Sequence, residues 1–370
     1  MLPLSISDWG NLLDTRRSTK SSSYAETSGP ASRRHALAKD LPVSEPLYYG
    51  ASTSKMITIA YMTNRKNPRI RWFFDSLHRE CGDDYSGIKL VVVDFYAQKG
   101  HQWGTTQIVN RKAEFKKMAH CDIVHVPPKP TVWQGPHRLT NQDWFAASNA
   151  RNTALCYAEG EYLVCVDDLS VLLPGWLNWL NFAIERKWIA CGAYKKMLNL
   201  DVRVGEITNA EEYPEGIDSR LGHFNNTAPT RVTGNSAFGC SFGAPIEALL
   251  KVNGWDEDND SMAGEDYCCG MMLEQQGYML YYVPGMMTYE SEEAHHEDTP
   301  FKRVIKPYQG SIDASHRMLN WVKEGRRPKG HNYDGCDLRE LRERILAGED
   351  FPVTQVPEHD WRDGQPLSEM

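Results

Sequence analysis

The chain has no run close to the roughly 18 consecutive apolar residues of a membrane-spanning helix, which argues against an integral membrane protein. Its first residues, MLPLSISDWGNLLDTRR, lack the basic stretch, apolar core and small-residue cleavage site of a secretory signal. A cytoplasmic location is therefore expected. A cysteine framework is also missing. Nine cysteines is an odd number, and Cys156, Cys165, Cys191 and Cys240 lie inside apolar runs, where they read as reduced, buried thiols. Positive charge is in deficit, with 41 Lys and Arg against 49 Asp and Glu and a net −8, which disfavours non-specific binding to a polyanion. No internal repeat appears at periods of 20 to 50 residues.

What is present is an alternation. Residues 1–50 are rich in Ser, Thr, Ala and charge, without apolar periodicity, and read as a flexible arm. From Met56 onward, MITIAYM, IKLVVVDF, DIVHV and EYLVCV are short, almost wholly apolar runs, the pattern of strands buried on both faces of a parallel sheet. PRIRWFFDSLHREC and WFAASNARNTALCYAEG between them have helical character. The fold class expected is α/β: a mostly parallel, Rossmann-like sheet flanked by helices, followed by a looser, mixed second half. Within that half, Asn199 to Thr230 reads as a polar, Gly-containing stretch. APIEALLKVNG and GEDYCCGMMLEQQG read as helices and Tyr278 to Val283 as a strand. Residues 51–305 would form the main domain and 306–370 a helical extension and tail, with helices in SIDASHRMLNWVKEG and DLRELRERILAG.

Three acidic constellations stand out. Asp167-Asp168 ends a buried strand, where adjacent carboxylates call for a cation or serve as a cap and solvated turn. From Asp256 to Asp266, six of eleven residues are acids with no Lys or Arg among them. An EF-hand loop does not fit there: Ser261 stands at the glycine position and Tyr267 at the twelfth. Glu265 and Asp266 open a helix, either as simple capping or as ionised functional acids. Finally, His295 and His296 lie among five acids from Glu290 to Asp298, and imidazole could complete an oxygen-rich site for a divalent ion.

The order of these features, with Asp94 at a strand tip, then ARNTAL, VDD, LPGW, VNGWDE, GED and His, resembles that of GT-A glycosyltransferases of the family 2 type over roughly Met56 to His296. The resemblance implies a GT-A fold, a nucleotide-diphosphate sugar donor and a divalent metal, Mn²⁺ or Mg²⁺. It implies that Asp94 meets the nucleobase, Arg151 the nucleotide, and Asp167 and Asp168 the ribose and the metal-bound diphosphate. Asp266 would be the catalytic base with Glu265 beside it, and His295 or His296 the remaining metal ligand after Asp168. The acceptor hydroxyl could belong to a glycan, a protein or a modified nucleic acid, and the outcome implied is inversion. Counting back from Pro174, the family's second metal-directed acid falls on Leu169. Either Asp168 takes over metal binding or the site leans on the histidines. Two other readings stay open: a sugar- or nucleotide-binding protein without turnover, and a glycoside hydrolase with paired carboxylates.

Overall fold

The computed structural model describes residues 56–97, 105–138, 146–224, 227–260, 264–297, 330, 332, 335 and 337–352. The proposed arm at 1–50 and the proposed helix at 311–325 lie outside the described residues.

The first half follows the apolar runs. β1 (Ile57–Thr63) is buried along its whole length and pairs in parallel with β2 (Ile88–Asp94) on one side and β4 (Tyr162–Asp167) on the other. β3 (Ile123–Val126) extends the parallel set beyond β2. The connecting helix α1 (Ile70–Cys81) buries Ile70, Phe73, Phe74 and Leu77 against the sheet, the helical spacing expected, and gives way at Gly82 with φ of 59°. α2 (Thr105–Met118) links β2 to β3. α3 (Ala147–Tyr157) carries small side chains at Ala147, Ser148, Ala150, Thr153, Ala154 and Cys156, and ten of its eleven residues are buried.

The second half is mixed. β5 (Ser170–Leu172), α4 (Trp176–Glu185), β6 (Ile189–Arg203), β7 (Glu206–Ile217), β8 (Thr230–Val232), β9 (Ser241–Pro245), α5 (Ile246–Lys251), α6 (Glu265–Gln275), β10 (Leu280–Ser291), α7 (Glu292–Glu297) and α8 (Leu338–Leu346) follow in order. The sheet runs β3-β2-β1-β4-β9-β6-β10-β5, with β7 added on β6 and β8 on β10. β9 is antiparallel to both β4 and β6, whereas β10 runs parallel to β6. This is the GT-A-like, Rossmann-like α/β arrangement expected: a curled central sheet whose parallel part carries its helices on either side.

Two expectations need correction in detail. The polar stretch from Asn199 onward is largely the long hairpin β6–β7, whose outer strand exposes Glu206, Glu211, Glu212 and Glu215. β10 continues to Ser291, well past Val283, because a register shift between Val283 and Thr288 absorbs Pro284, which has no N–H to give to a ladder. Among the described cysteines all are free, and all but Cys121 are buried.

Candidate active site

Parallel strands end together, and their carboxyl ends form the edge at which an open α/β sheet holds ligands. β2 ends at Asp94 and β4 at Asp167. The antiparallel β9 places Cys240 beside the same edge, where its carbonyl accepts the Asp167 N–H at 3.4 Å. Gly239 precedes it, and the Gly239 N–H donates to Asp266 Oδ2 at 2.8 Å. The strand tip and the start of α6 are thereby brought together across about a hundred residues of sequence.

One guanidinium joins them. Arg151, on α3 and almost fully buried, lies 3.4 Å from Asp167, 3.1 Å from Glu265 and 3.2 Å from Asp266. Burial works against its charge, but Asp266, Asp167 and Glu265 outweigh that and raise its pKa well above the ordinary arginine value. A side chain at Gly239 would displace this junction: a Cβ there would stand 1.9 Å from Arg151 Nη2 and 2.8 Å from Asp266 Oδ1. Burial pushes the Asp266 carboxyl up to about 7; Arg151 opposes the rise, while Glu265 and Asp167 add to it. Asp167 is the most open of these acids, with 40% of its side chain exposed.

Asp168 turns the other way. Its Oδ2 accepts from the Thr63 hydroxyl at 2.8 Å and its Oδ1 from Arg65 Nε at 3.0 Å. Burial raises its pKa in spite of Arg65. Arg65 also donates to the Ala294 carbonyl at 3.2 Å, which ties α7 to this edge. His295 and His296 belong to α7, and their side chains lie outside the described residues. Leu169 is buried with φ of 62°, its N–H held by Pro68 O and the Tyr61 hydroxyl.

Two members of the cluster escape a reading by spacing. Glu290 of β10 stands opposite Ser170 of β5 on one side and Lys196 of β6 on the other. Lys196 Nζ lies 3.2 Å from it, while its Oε1 is buried without a hydrogen bond. Burial raises the Glu290 pKa to about 7; Lys196 opposes the rise and Asp167 and Asp168 add to it. The acid run that starts at Glu290 is the available signal, but only strand register sets Glu290 between Ser170 and Lys196.

Asp94 is wholly buried. It accepts from the Tyr96 N–H at 3.0 Å, from Arg111 Nε at 2.7 Å and pairs with His125 Nε2 at 2.9 Å. Arg111 donates further to the Arg65 and Lys66 carbonyls. Asp94 therefore fixes the loop after β1 through Arg111, and the guanidinium, also packed over the Tyr96 and Phe115 rings, is the group it presents.

The acids of GWDEDND are structural. Asp260 accepts from the Ser148 and Asn149 N–H groups at 2.7 and 3.3 Å, capping α3. Glu257 forms a fully buried ion pair with Lys129 at 2.8 Å. Asn152, the neighbour of Arg151, donates to Trp255 O, Glu257 and Asn332 and accepts from Trp255 N–H. The segment holds α3, and hence Arg151, in place.

For a divalent cation the described donors do not make a set. Among the described residues no three His, Cys, Asp or Glu side chains come together in a metal-holding group. Asp168 is engaged by Thr63 and Arg65, and Asp167, Glu265, Asp266 and Glu290 face the cations Arg151 and Lys196.

No family model and no curated protein matches the chain. Several solved structures are similar to it. The mannosyltransferase PcManGT from Pyrobaculum calidifontis, in complex with GDP-Man and Mn²⁺, is 15% identical over 80% of each chain with a TM-score of 0.42. S. aureus TarS 1–349 with UDP-GlcNAc is 13% identical over 64% of this chain and 58% of that one, TM-score 0.41. GalNAc-T7 with UDP, GalNAc and Mn²⁺ is 12% identical over 82% and 60%, TM-score 0.48.

Proposed function

We propose that the chain is a glycosyltransferase that moves a sugar from a nucleotide-diphosphate donor to an acceptor hydroxyl with inversion. The observation that carries this reading is the Arg151 junction, in which a strand-tip aspartate and a helix-start carboxylate near pKa 7 share one guanidinium at the ligand-binding edge of the sheet. In the step proposed, the acceptor oxygen bonds to the anomeric carbon. The bond from that carbon to the donor's phosphate oxygen breaks, and its electron pair leaves with the nucleoside diphosphate. Asp266 takes the hydroxyl proton, for which a pKa near the working pH suits it. Glu265 holds Arg151 and keeps Asp266 from ionising early. Arg111, Arg151, Arg65 and Lys196 are the cations near this edge to meet the donor's negative charge. Asp167 is exposed enough to accept from ribose hydroxyls. No step is assigned to a metal ion, since the described donors do not fit one.

The test is Asp266→Asn, which keeps the shape and removes the base. Nucleotide affinity should stay near that of the wild type while turnover falls by about 10² or more. A variant with near-normal turnover would remove Asp266 from the mechanism.

A further inference from the structure

Three aromatic side chains run from the proposed base, and none of them has a role in the donor binding proposed above. Phe238 directly precedes Gly239, whose N–H holds Asp266. Tyr267 directly follows Asp266 on α6. Tyr194 on β6 stands opposite Thr288, so it shares a sheet face with Lys196, two residues on, while Glu290 lies two residues beyond Thr288. The rings touch in series: Tyr194 to Phe238 at 6.3 Å and Phe238 to Tyr267 at 5.6 Å between centroids, tilted by 58° and 51°. All three are half-buried.

The row is rigidly backed. The Arg220 guanidinium lies 4.1 Å from the Phe238 ring centre and is itself pinned by Asp218 at 2.6 Å and by the Gly192 and Ser236 carbonyls. A fixed apolar face costs little side-chain entropy when a ligand settles on it. Around it carboxylates outnumber cations: Asp167, Glu265 and Asp266 share Arg151, Glu290 pairs with Lys196 and Asp218 with Arg220, and the whole chain carries −8. Carboxylates accept hydrogen bonds from hydroxyl groups and repel phosphates, sulfates and uronates. Half-buried aromatic rings beside hydrogen-bond-accepting carboxylates match a ligand with C–H faces and hydroxyl groups.

We propose that Tyr194, Phe238 and Tyr267 form the acceptor platform and that the acceptor is an uncharged saccharide, an inference that rests on the glycosyl-transfer reading. The transferred sugar then meets a hydroxyl presented over Phe238 toward Asp266.

The experiment is saturation-transfer NMR on the full chain with four neutral tetrasaccharides (cello-, malto-, manno- and xylotetraose) and the anionic tetragalacturonate. At least one neutral sugar should bind. Phe238→Leu, which keeps apolar bulk against Arg220, should weaken it about 5- to 10-fold, the scale of losing one aromatic contact. Tyr194→Leu gives the same reading should Phe238→Leu fail to fold. Trp188→Leu, in the stacked pair with Tyr281 near the other end of β10, should leave binding unchanged. Binding of tetragalacturonate alone, no neutral binder, or equal binding by the Leu variants overturns the platform. GDP and UDP are titrated in parallel. Nucleotide bound with no saccharide bound rejects the acceptor assignment alone, whereas saccharide bound with no nucleotide rejects the transferase reading.

Discussion

At the scale of single residues, the acid chemistry of the site depends on how three carboxylates divide one counter-charge. Asp266 and Glu290 are both held near pKa 7, far above an exposed carboxylate. The folded chain therefore keeps protons that the unfolded chain releases between about pH 4 and 7, and stability must fall as pH rises through that window. Thermal unfolding followed from about pH 5 to 8 should show a declining midpoint, and Asp266→Asn should flatten part of the decline. Activity should move oppositely, with kcat/KM rising through about pH 7 as Asp266 deprotonates. Arg151→Lys keeps a charge but not the fork that spans three acids, so a larger loss than a charge count suggests is expected, roughly 10-fold or more in kcat/KM. The comparison that checks it is steady-state kinetics beside nucleotide affinity.

At the scale of elements, the parts that can be read from sequence are those buried on both faces. β1, β2 and β4 announce themselves because they are apolar along most of their length, and α1 because one face is apolar at helical spacing. β7 cannot be read this way: as an outer strand it carries Glu and Pro214 toward solvent, which in sequence is indistinguishable from a loop. α2 offers only Phe115 as a buried anchor among its described side chains, too little period to find. The site divides likewise. Arg151, Asp167, Glu265 and Asp266 sit in short motifs, whereas Thr63, Lys196 and Glu290 are brought in by pairing between distant strands and Arg65 by the loop that follows β1. α8 shows the cost of removing an element: it buries Leu338, Leu341 and Ile345 against the core beside α3, and Leu338 N–H is held by Asn253. Leu341→Ala should destabilise the protein by about 2 to 5 kcal/mol, measured by denaturant unfolding. A change within 0.5 kcal/mol or so of zero would mean that α8 is not part of the cooperative core.

At the scale of the whole molecule, the glycosyl-transfer reading requires a chain of net charge −8 to admit a strongly anionic nucleotide to an edge already lined with acids. The cations of that edge have to leave their carboxylates to do so, or a divalent ion has to join them. Thermal shift with UDP and GDP separates the two cases, since a ligand at about 100 times its Kd stabilises by about 2.7 kcal/mol. Since the described donors do not make a set for a divalent ion, Mn²⁺ should leave the shift of the wild type unchanged. A Mn²⁺-dependent increment that is lost in the His295→Ala, His296→Ala double variant would overturn that expectation and give the histidines a share in holding the ion.

The Arg151 junction also sets an order of events. On the glycosyl-transfer reading, a diphosphate that draws Arg151 toward itself takes from Asp266 the cation that lowers its pKa and leaves it only the Gly239 N–H, so the carboxylate becomes a stronger base once the donor is seated. Donor occupancy then acts as the licence for proton removal, and an acceptor arriving first meets a blunted base. Product-inhibition kinetics should show the donor binding before the acceptor. The acid limb of the kcat profile should lie above that of nucleotide binding to the free enzyme, while a random-order pattern with coincident limbs would mean that Arg151 never leaves its acids.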